Sequence, residues 1–271
     1  MKEIEHFYFG HNQGLDNGFR SMNYGIINCT IGGGMVEENY IPSREIRETY
    51  IRGNPKPYFH SADLKPVELK LTFGFENFHT GFTPDDRNRA LRDLSRWLTK
   101  DYYVPFGVAG SDKMFYVMYV GESELIHNAN SQGYVELTLR TNAPWAYSEI
   151  KTKEFTFDPT VQSEIHFENI GDLPIEPELW FKVPFSSDVA DVSIVINNNT
   201  DNIFKFEGLL SQEEIYVHNE MKYIESINTP NYRYDNFNNN YLSIPTGNNT
   251  IVIQGIENLK MKYQERTYLI Y

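Results

Sequence analysis

Pro66-Val67-Glu68-Leu69-Lys70-Leu71-Thr72-Phe73-Gly74-Phe75-Glu76 decides the reading of this chain. Val67, Leu69, Leu71, Phe73 and Phe75 fall on one face, and Glu68, Lys70, Thr72 and Gly74 on the other. A period of two marks a half-buried strand. The next stretch has another period. Thr83 is a good N-cap, Pro84 suits the first helical position, and Asp85 and Asp86 complement the positive end of a helix dipole. Ala90, Leu91, Leu94, Trp97 and Leu98 make an apolar stripe at helical spacing. Arg87, Arg89, Arg92 and Arg96 lie toward the other faces, a solvated surface or a grip on a partner. Tyr102-Tyr103-Val104-Pro105-Phe106 ends the element.

Strand patterns resume on either side. Upstream, residues 23–31 and 46–52 read as short strands separated by Gly32-Gly33-Gly34 and a polar loop. Downstream, Phe115–Val120 and Tyr134–Arg140 alternate, and Asn142-Ala143-Pro144-Trp145-Ala146-Tyr147 breaks the pattern. A domain boundary is expected near residue 147, because the charge balance also changes there. Residues 1–147 hold 15 Lys+Arg and 18 Asp+Glu, a net −3, whereas residues 148–271 hold 9 and 19, a net −10.

The second segment, 148–271, lacks a helical pattern of useful length. Its candidate strands are Lys153–Phe157, Glu164–Glu168, Glu178–Val183, Val192–Ile196, Ile203–Phe206, Glu214–Val217, Lys222–Ser226, Tyr241–Ile244, Thr250–Gln254 and Met261–Tyr268. Turn signals such as Asn197-Asn198-Asn199 and Thr246-Gly247-Asn248-Asn249 divide them. Many short, evenly spaced strands indicate an antiparallel sandwich or jelly roll. Asn228–Asn240, rich in Asn and Tyr, reads as an exposed loop.

The 271 residues, 40% hydrophobic and 15% aromatic, describe a folded chain with material for one large or two ordinary cores. A net charge of −13 disfavours tight nucleic-acid binding. Cys29 is the single cysteine, so no intrachain disulfide can form, and its place in a strand suggests a buried, inert thiol. The N-terminus lacks the apolar stretch of a signal peptide, and no apolar run reaches the about 18 residues of a membrane helix. A soluble protein made in a cytoplasm is expected.

No chemistry has an anchor. His60 and His79 stand alone, and His6 and His11 lack an acidic cluster at ligand spacing. Asp188, Asp191 and Asp201 are too scattered for a calcium loop. Gly32-Gly33-Gly34-Met35 is no phosphate loop, and no nucleophile elbow is present. No catalytic residue, cofactor or metal site is therefore assigned. A glycosidase needs only two carboxylates, so sequence alone leaves it open. Trp180, Tyr232, Tyr234 and Tyr241 could serve a sugar-binding sandwich, although Leu179-Trp180-Phe181 reads as core.

The order of these features resembles the distal tail protein family of long-tailed, non-contractile bacteriophages. The likeness runs through Gly18-Phe19-Arg20-Ser21-Met22-Asn23-Tyr24-Gly25-Ile26, Pro42-Ser43-Arg44-Glu45-Ile46 and Ile51-Arg52-Gly53-Asn54. It continues in Val67–Phe75, the Trp97-Leu98 helix end, Phe115–Val120, Leu137-Thr138-Leu139 and Ala143-Pro144-Trp145-Ala146. In the second segment it includes Asn169-Ile170-Gly171, Pro174-Ile175-Glu176-Pro177, Phe206-Glu207-Gly208-Leu209 and Ile244–Ile251. The family's Gly-Arg-(Asn/Asp)-Gly turn is altered here to Arg52-Gly53-Asn54-Pro55.

The resemblance implies a mainly β, non-enzymatic virion protein. Residues 1–147 would be a split β-barrel with a flanking helix that closes a hexameric ring, and 148–271 a galectin-like docking sandwich. The ring would join the tail tube to the tail-tip protein, anchor receptor-binding proteins and pass DNA through a central channel, without inserting in a membrane. Such a protein would be made in the host bacterial cytoplasm and end in the phage tail tip. The Gly/Asn-rich N-terminal segment and the 32–45 loop are candidate arms between subunits. Most negative charge, however, lies outside the presumed channel domain. The lectin pattern is missing, since His166-Phe167-Glu168-Asn169 and Trp180-Phe181-Lys182 do not supply its sugar ligands. The alternatives are a carbohydrate-binding adhesin of the tail tip and a cell-wall hydrolase.

Overall fold

In a computed structural model, Glu68–Phe75 is a strand inside an antiparallel sheet, paired on both sides. The structure describes residues 6–10, 21, 26–28, 41–75, 84–108, 111–127, 133–185, 190–228 and 230–268. The chain divides into two compact units, one drawn from residues 1–147 with the C-terminal residues from 268, the other Ser148–Thr267.

The first unit contains β1 (Phe7–Phe9), β2 (Ile26–Asn28), β3 (Arg44–Thr49), β4 (Tyr58–Leu64), β5 (Glu68–Phe75), α1 (Pro84–Leu98), β6 (Val104–Val108), β7 (Met114–His127), β8 (Gly133–Thr141) and β9 (Ala146–Tyr147). Its main sheet is antiparallel with the path β1-β6-β7-β8-β5-β2. Among the described residues this sheet is open. The expected split barrel takes the form of an open sheet with one helix.

On β5, Leu71 and Phe73 are buried, as alternation requires, and Val67 beside the strand is buried too. The α1 stripe covers the same core, with Leu94, Trp97 and Leu98 all 6% exposed or less. Trp97 stacks on Phe7 (5.8 Å, 13°), meets Phe9 edge-on, and donates Nε1–H to the Phe9 carbonyl at 3.0 Å. Burying such a side chain stabilises by about 2–3 kcal/mol.

The strand bounds correct several expectations. Phe7–Phe9 is a core strand paired with β6, so this part of the N-terminal segment is no free arm. Residues 11–20 and 29–40, with Cys29, the triple glycine and most of the 32–45 arm, lie outside the described residues. Val104-Pro105-Phe106 opens a strand instead of merely closing a helix. Pro105 is accommodated because β1 stops opposite Phe106. The 46–52 strand is Arg44–Thr49, and its partner β4 has no alternation to reveal it. Register slips between Val120 and Glu124, where Gly121 takes φ +78°.

The second unit is a sandwich. One sheet runs β10 (Lys151–Thr156), β18 (Asn258–Tyr263), β12 (Glu178–Lys182), β15 (Glu214–His218), β16 (Tyr223–Ser226). The other runs β11 (Ser163–Asn169), β17 (Gly247–Gln254), β13 (Ala190–Ile196), β14 (Phe204–Leu209). One apolar core joins both, including Leu179, Phe181, Ile194, Phe206, Val217 and Ile253. Gly255, at φ +75°, sits where a Cβ would fall on the Asp191 carbonyl, which forces glycine after β17. Tyr241–Ile244 is not a strand; only Ile244 bridges to Ile175. The strand expected over Met261–Tyr268 is split between Asn258–Tyr263 and a separate two-residue strand, Arg266–Thr267.

The loop 228–240 is tied down rather than exposed throughout. Phe237 is 5% exposed and packs on Phe206 at 4.7 Å and Phe204 at 5.2 Å. Arg233 Nε and Nη2 donate to the two oxygens of Glu213 at 2.8 and 2.6 Å. Ser226 Oγ and the Leu210 amide also donate to this carboxylate, whose side chain is fully buried. Burial pushes the Glu213 pKa upward; the hydrogen bonds from Arg233, Ser226 and Leu210 outweigh it, and the net shift is downward.

Candidate interaction surface

The β3–β4 hairpin has a ladder and no core. Every residue of β3 is exposed, and β4 contributes none to the apolar core of its unit. The two strands form a sheet of their own. Ile41, Ile46, Tyr50, Ile51, Tyr58 and Phe59 are each 53–71% exposed. Polar contacts hold the two strands in register. Arg47 pairs with Asp63 at 2.9 Å, Lys65 with Glu45 at 3.2 Å, and Thr49 bonds His60 at 2.7 Å. The Tyr50 hydroxyl donates to Glu48, and this bond, with the carboxylate's charge, raises the tyrosine pKa. An isolated two-stranded hairpin is marginal in water. Exposed apolar side chains on such an element mark a surface made to be covered.

The other sequence candidates are scattered. His6 contacts Ser21 and His60 contacts Thr49. His11, His79 and Asp188 lie outside the described residues. Asp191 accepts the Gly208 amide, and the Asp201 amide caps onto Asn199. Among the described residues no three His, Cys, Asp or Glu side chains form a metal-binding group. Nor is any helix there long and apolar enough to cross a membrane. On α1, Arg89 and Arg92 are exposed and Arg96 pairs with Asp93 at 3.6 Å.

Trp180 is not core. On β12 Leu179 and Phe181 point inward, so Trp180 faces out, half-buried. It stands in a cross-strand row with Glu154, Lys260, Tyr216 and Glu225. Lys260 Nζ lies 5.6 Å from its ring and Tyr216 4.8 Å from it, centroid to centroid. Burial, then the bond to Glu178, raises the Tyr216 pKa. Tyr232 and Tyr234 meet at a 35° tilt in the 228–240 loop, and Tyr241 packs edge-on against Phe237. Among the described residues no ring contact joins Trp180 to those three tyrosines.

The asparagine turns of the second segment have a structural role. Asn169 Nδ2 donates to the carbonyls of Leu173, Ile244 and Pro245, and its Oδ1 accepts the Gly171 amide. Asn249 Nδ2 donates to the Pro245 and Gly247 carbonyls, and its Oδ1 accepts from Asn197. Buried amides thus satisfy loop backbone that no sheet could reach.

Known proteins share both the sequence and the fold. Residues 15–143 match the family described as phage tail protein N-terminal domain. The chain is 32% identical over 268 residues to the SPbeta prophage-derived uncharacterized protein YomH of Bacillus subtilis (strain 168), covering 97% of this chain and 98% of the relative. The crystal structure of the Dit protein of SPP1, a paradigm of hub adsorption apparatus in Gram-positive infecting phages, matches with a TM-score of 0.69 at 16% identity, over 96% of this chain and 98% of that one. A chain of the activated phage P2 baseplate matches with a TM-score of 0.54 at 8% identity, over 98% of this chain and 100% of that one. The chain therefore belongs to the family of the prophage protein YomH, matches a phage tail protein N-terminal domain over residues 15–143, and carries the fold of the SPP1 Dit protein.

Proposed function

We propose that this protein is a non-enzymatic distal tail hub: it closes a hexameric ring with copies of itself at the end of the tail tube. The β3–β4 hairpin carries this reading. Its exposed Ile46, Tyr58 and Phe59, with Ile41, Tyr50 and Ile51 beside them, find no cover within their own unit. A second copy supplies that cover, and repetition of one heterologous contact around a rotation axis gives a ring. In this reading the sandwich presents its surface to tail-tip and receptor-binding proteins. DNA passes through the central channel without being held.

Mass photometry and negative-stain microscopy of the full chain test this. Wild type is expected as a six-fold ring at micromolar concentration. Ile46→Asp with Phe59→Asp is expected to be a folded monomer with an unchanged melting temperature for the isolated chain. A wild type that stays monomeric at high concentration, or a double variant that still forms rings, overturns the reading.

A further inference from the structure

We propose that the sandwich binds a single neutral sugar residue, a pyranoside, in a cleft between its β15–β16 turn and the segment 239–243. The cleft encloses about 260 Å³, just under the about 300–1,000 Å³ of sites for larger ligands, so it suits one ring rather than a chain. Its walls come from four separated stretches: Glu176; Asn202; Asn219, Glu220 and Lys222; and Asn239–Ser243.

Three observations set the ligand's chemistry. The first is unspent hydrogen-bonding capacity. Asn202, Lys222 and Asn239 are exposed and Ser243 is half-buried, and among the described residues no protein group bonds their side chains, so all four can turn to a ligand in the cleft they line. Amides and hydroxyls both donate and accept, as a sugar's hydroxyls do. Neighbouring Asn219 is different: its amide is consumed by the Pro177 carbonyl and the Leu242 amide, so it builds the wall.

The second is charge balance. Glu176 and Glu220 face the cleft, and both are held by Arg266, at 3.4 and 3.2 Å. With Lys222 the four charges cancel. A fixed negative ligand meets two carboxylates and a fixed positive one meets two cations, so a neutral ligand is preferred.

The third is backbone strain. Lys222 (φ 54°) and Asn239 (φ 63°) are two of the five non-glycine residues with positive φ among the described residues, and both line this cleft. Such conformations cost energy and cluster where a side chain must be aimed. Tyr241 and Leu242 supply the apolar part of the wall that a sugar's C–H face needs.

Saturation-transfer NMR on the full chain tests the proposal with methyl glycosides of glucose, galactose and N-acetylglucosamine as probes. At least one is expected to bind with millimolar affinity and to bind more tightly than glucose 6-phosphate or glucosamine. Asn239→Gly and Lys222→Gly remove a side chain while keeping a residue at ease with positive φ, and Ser243→Ala is isosteric apart from the hydroxyl. Each is expected to weaken binding about fivefold with an unchanged melting temperature. Trp180→Ala, on the outer sheet face, is expected to leave binding unchanged. No signal from any neutral glycoside at tens of millimolar, tighter binding of the charged sugars, or loss of signal in Trp180→Ala but not in Asn239→Gly overturns it. Ring formation is read separately, so the two proposals fail independently.

Discussion

The β3–β4 hairpin and the 228–240 loop invert the usual relation between regularity and burial. The hairpin has an antiparallel ladder with one register shift between Arg47 and Glu48, yet every residue of β3 is exposed. The loop has little regular structure beyond one turn of 3-10 helix over Tyr234–Asn236, yet it buries Phe237 and the Arg233–Glu213 pair. Backbone hydrogen bonds alone contribute little net stability in water, because the unfolded chain makes them with solvent. Burial and the satisfaction of buried charge are what fix a segment. The loop is thus integral to its unit, whereas the apolar side chains of the hairpin are left exposed by theirs.

Phe237→Ala should break the loop side of this contrast most severely. It empties a site between Phe204, Phe206 and Tyr241, at an expected cost of about 4 kcal/mol, read by urea unfolding of the sandwich. Arg233→Met should cost about 3 kcal/mol by the same measurement, since it strands the buried Glu213 carboxylate, and adding Glu213→Gln should recover most of that loss. The same pair gives a pH signature. Folded Glu213 holds its proton more weakly than the unfolded chain, so its contribution is complete above the unfolded value of about 4.3 and fades as pH falls through the lower folded value. Arg233→Met should flatten this acid limb. The hairpin side should be nearly silent in the monomer. Asp63→Asn removes the exposed pair with Arg47 and should change unfolding by less than about 0.5 kcal/mol. A large loss there would show that the hairpin is packed within its own unit after all.

Legibility in the sequence obeys the same division. Val67–Phe75 and the α1 stripe are legible because one face of each is buried and the other is not. Phe7–Phe9 escapes notice because three residues are too short to show a period. β4, Tyr58–Leu64, escapes because neither face is buried, so no selection for alternation acts on it. The 228–240 loop misleads through composition: its asparagines and tyrosines read as solvent-facing, but Asn236 and Asn238 donate to the carbonyls of Glu207 and Ile203. Trp180 misleads through its apolar neighbours, which alternate away from it on β12. The cleft beside the β15–β16 turn has no local signal, because its walls lie up to 67 positions apart, from Glu176 to Ser243. Only the phage tail resemblance, carried by the order of many weak motifs, reaches function.

The order of strands in the sandwich has one more consequence. Among the described strands β10 and β16 border one sheet, β11 and β14 the other. The β10, β16 and β11 borders carry Lys151, Lys153 and Glu154, then Glu225, then Glu164 and Glu168, whereas the 228–240 loop covers β14 through the Phe206–Phe237 bridge and the bonds from Asn236 and Asn238. An unpaired border is an open template for a foreign strand, and charged side chains along it deter such pairing. The sandwich thus guards its borders in two ways, by charge on β10, β16 and β11 and by a tied-down loop on β14, and both oppose its fusion edge to edge with a second copy.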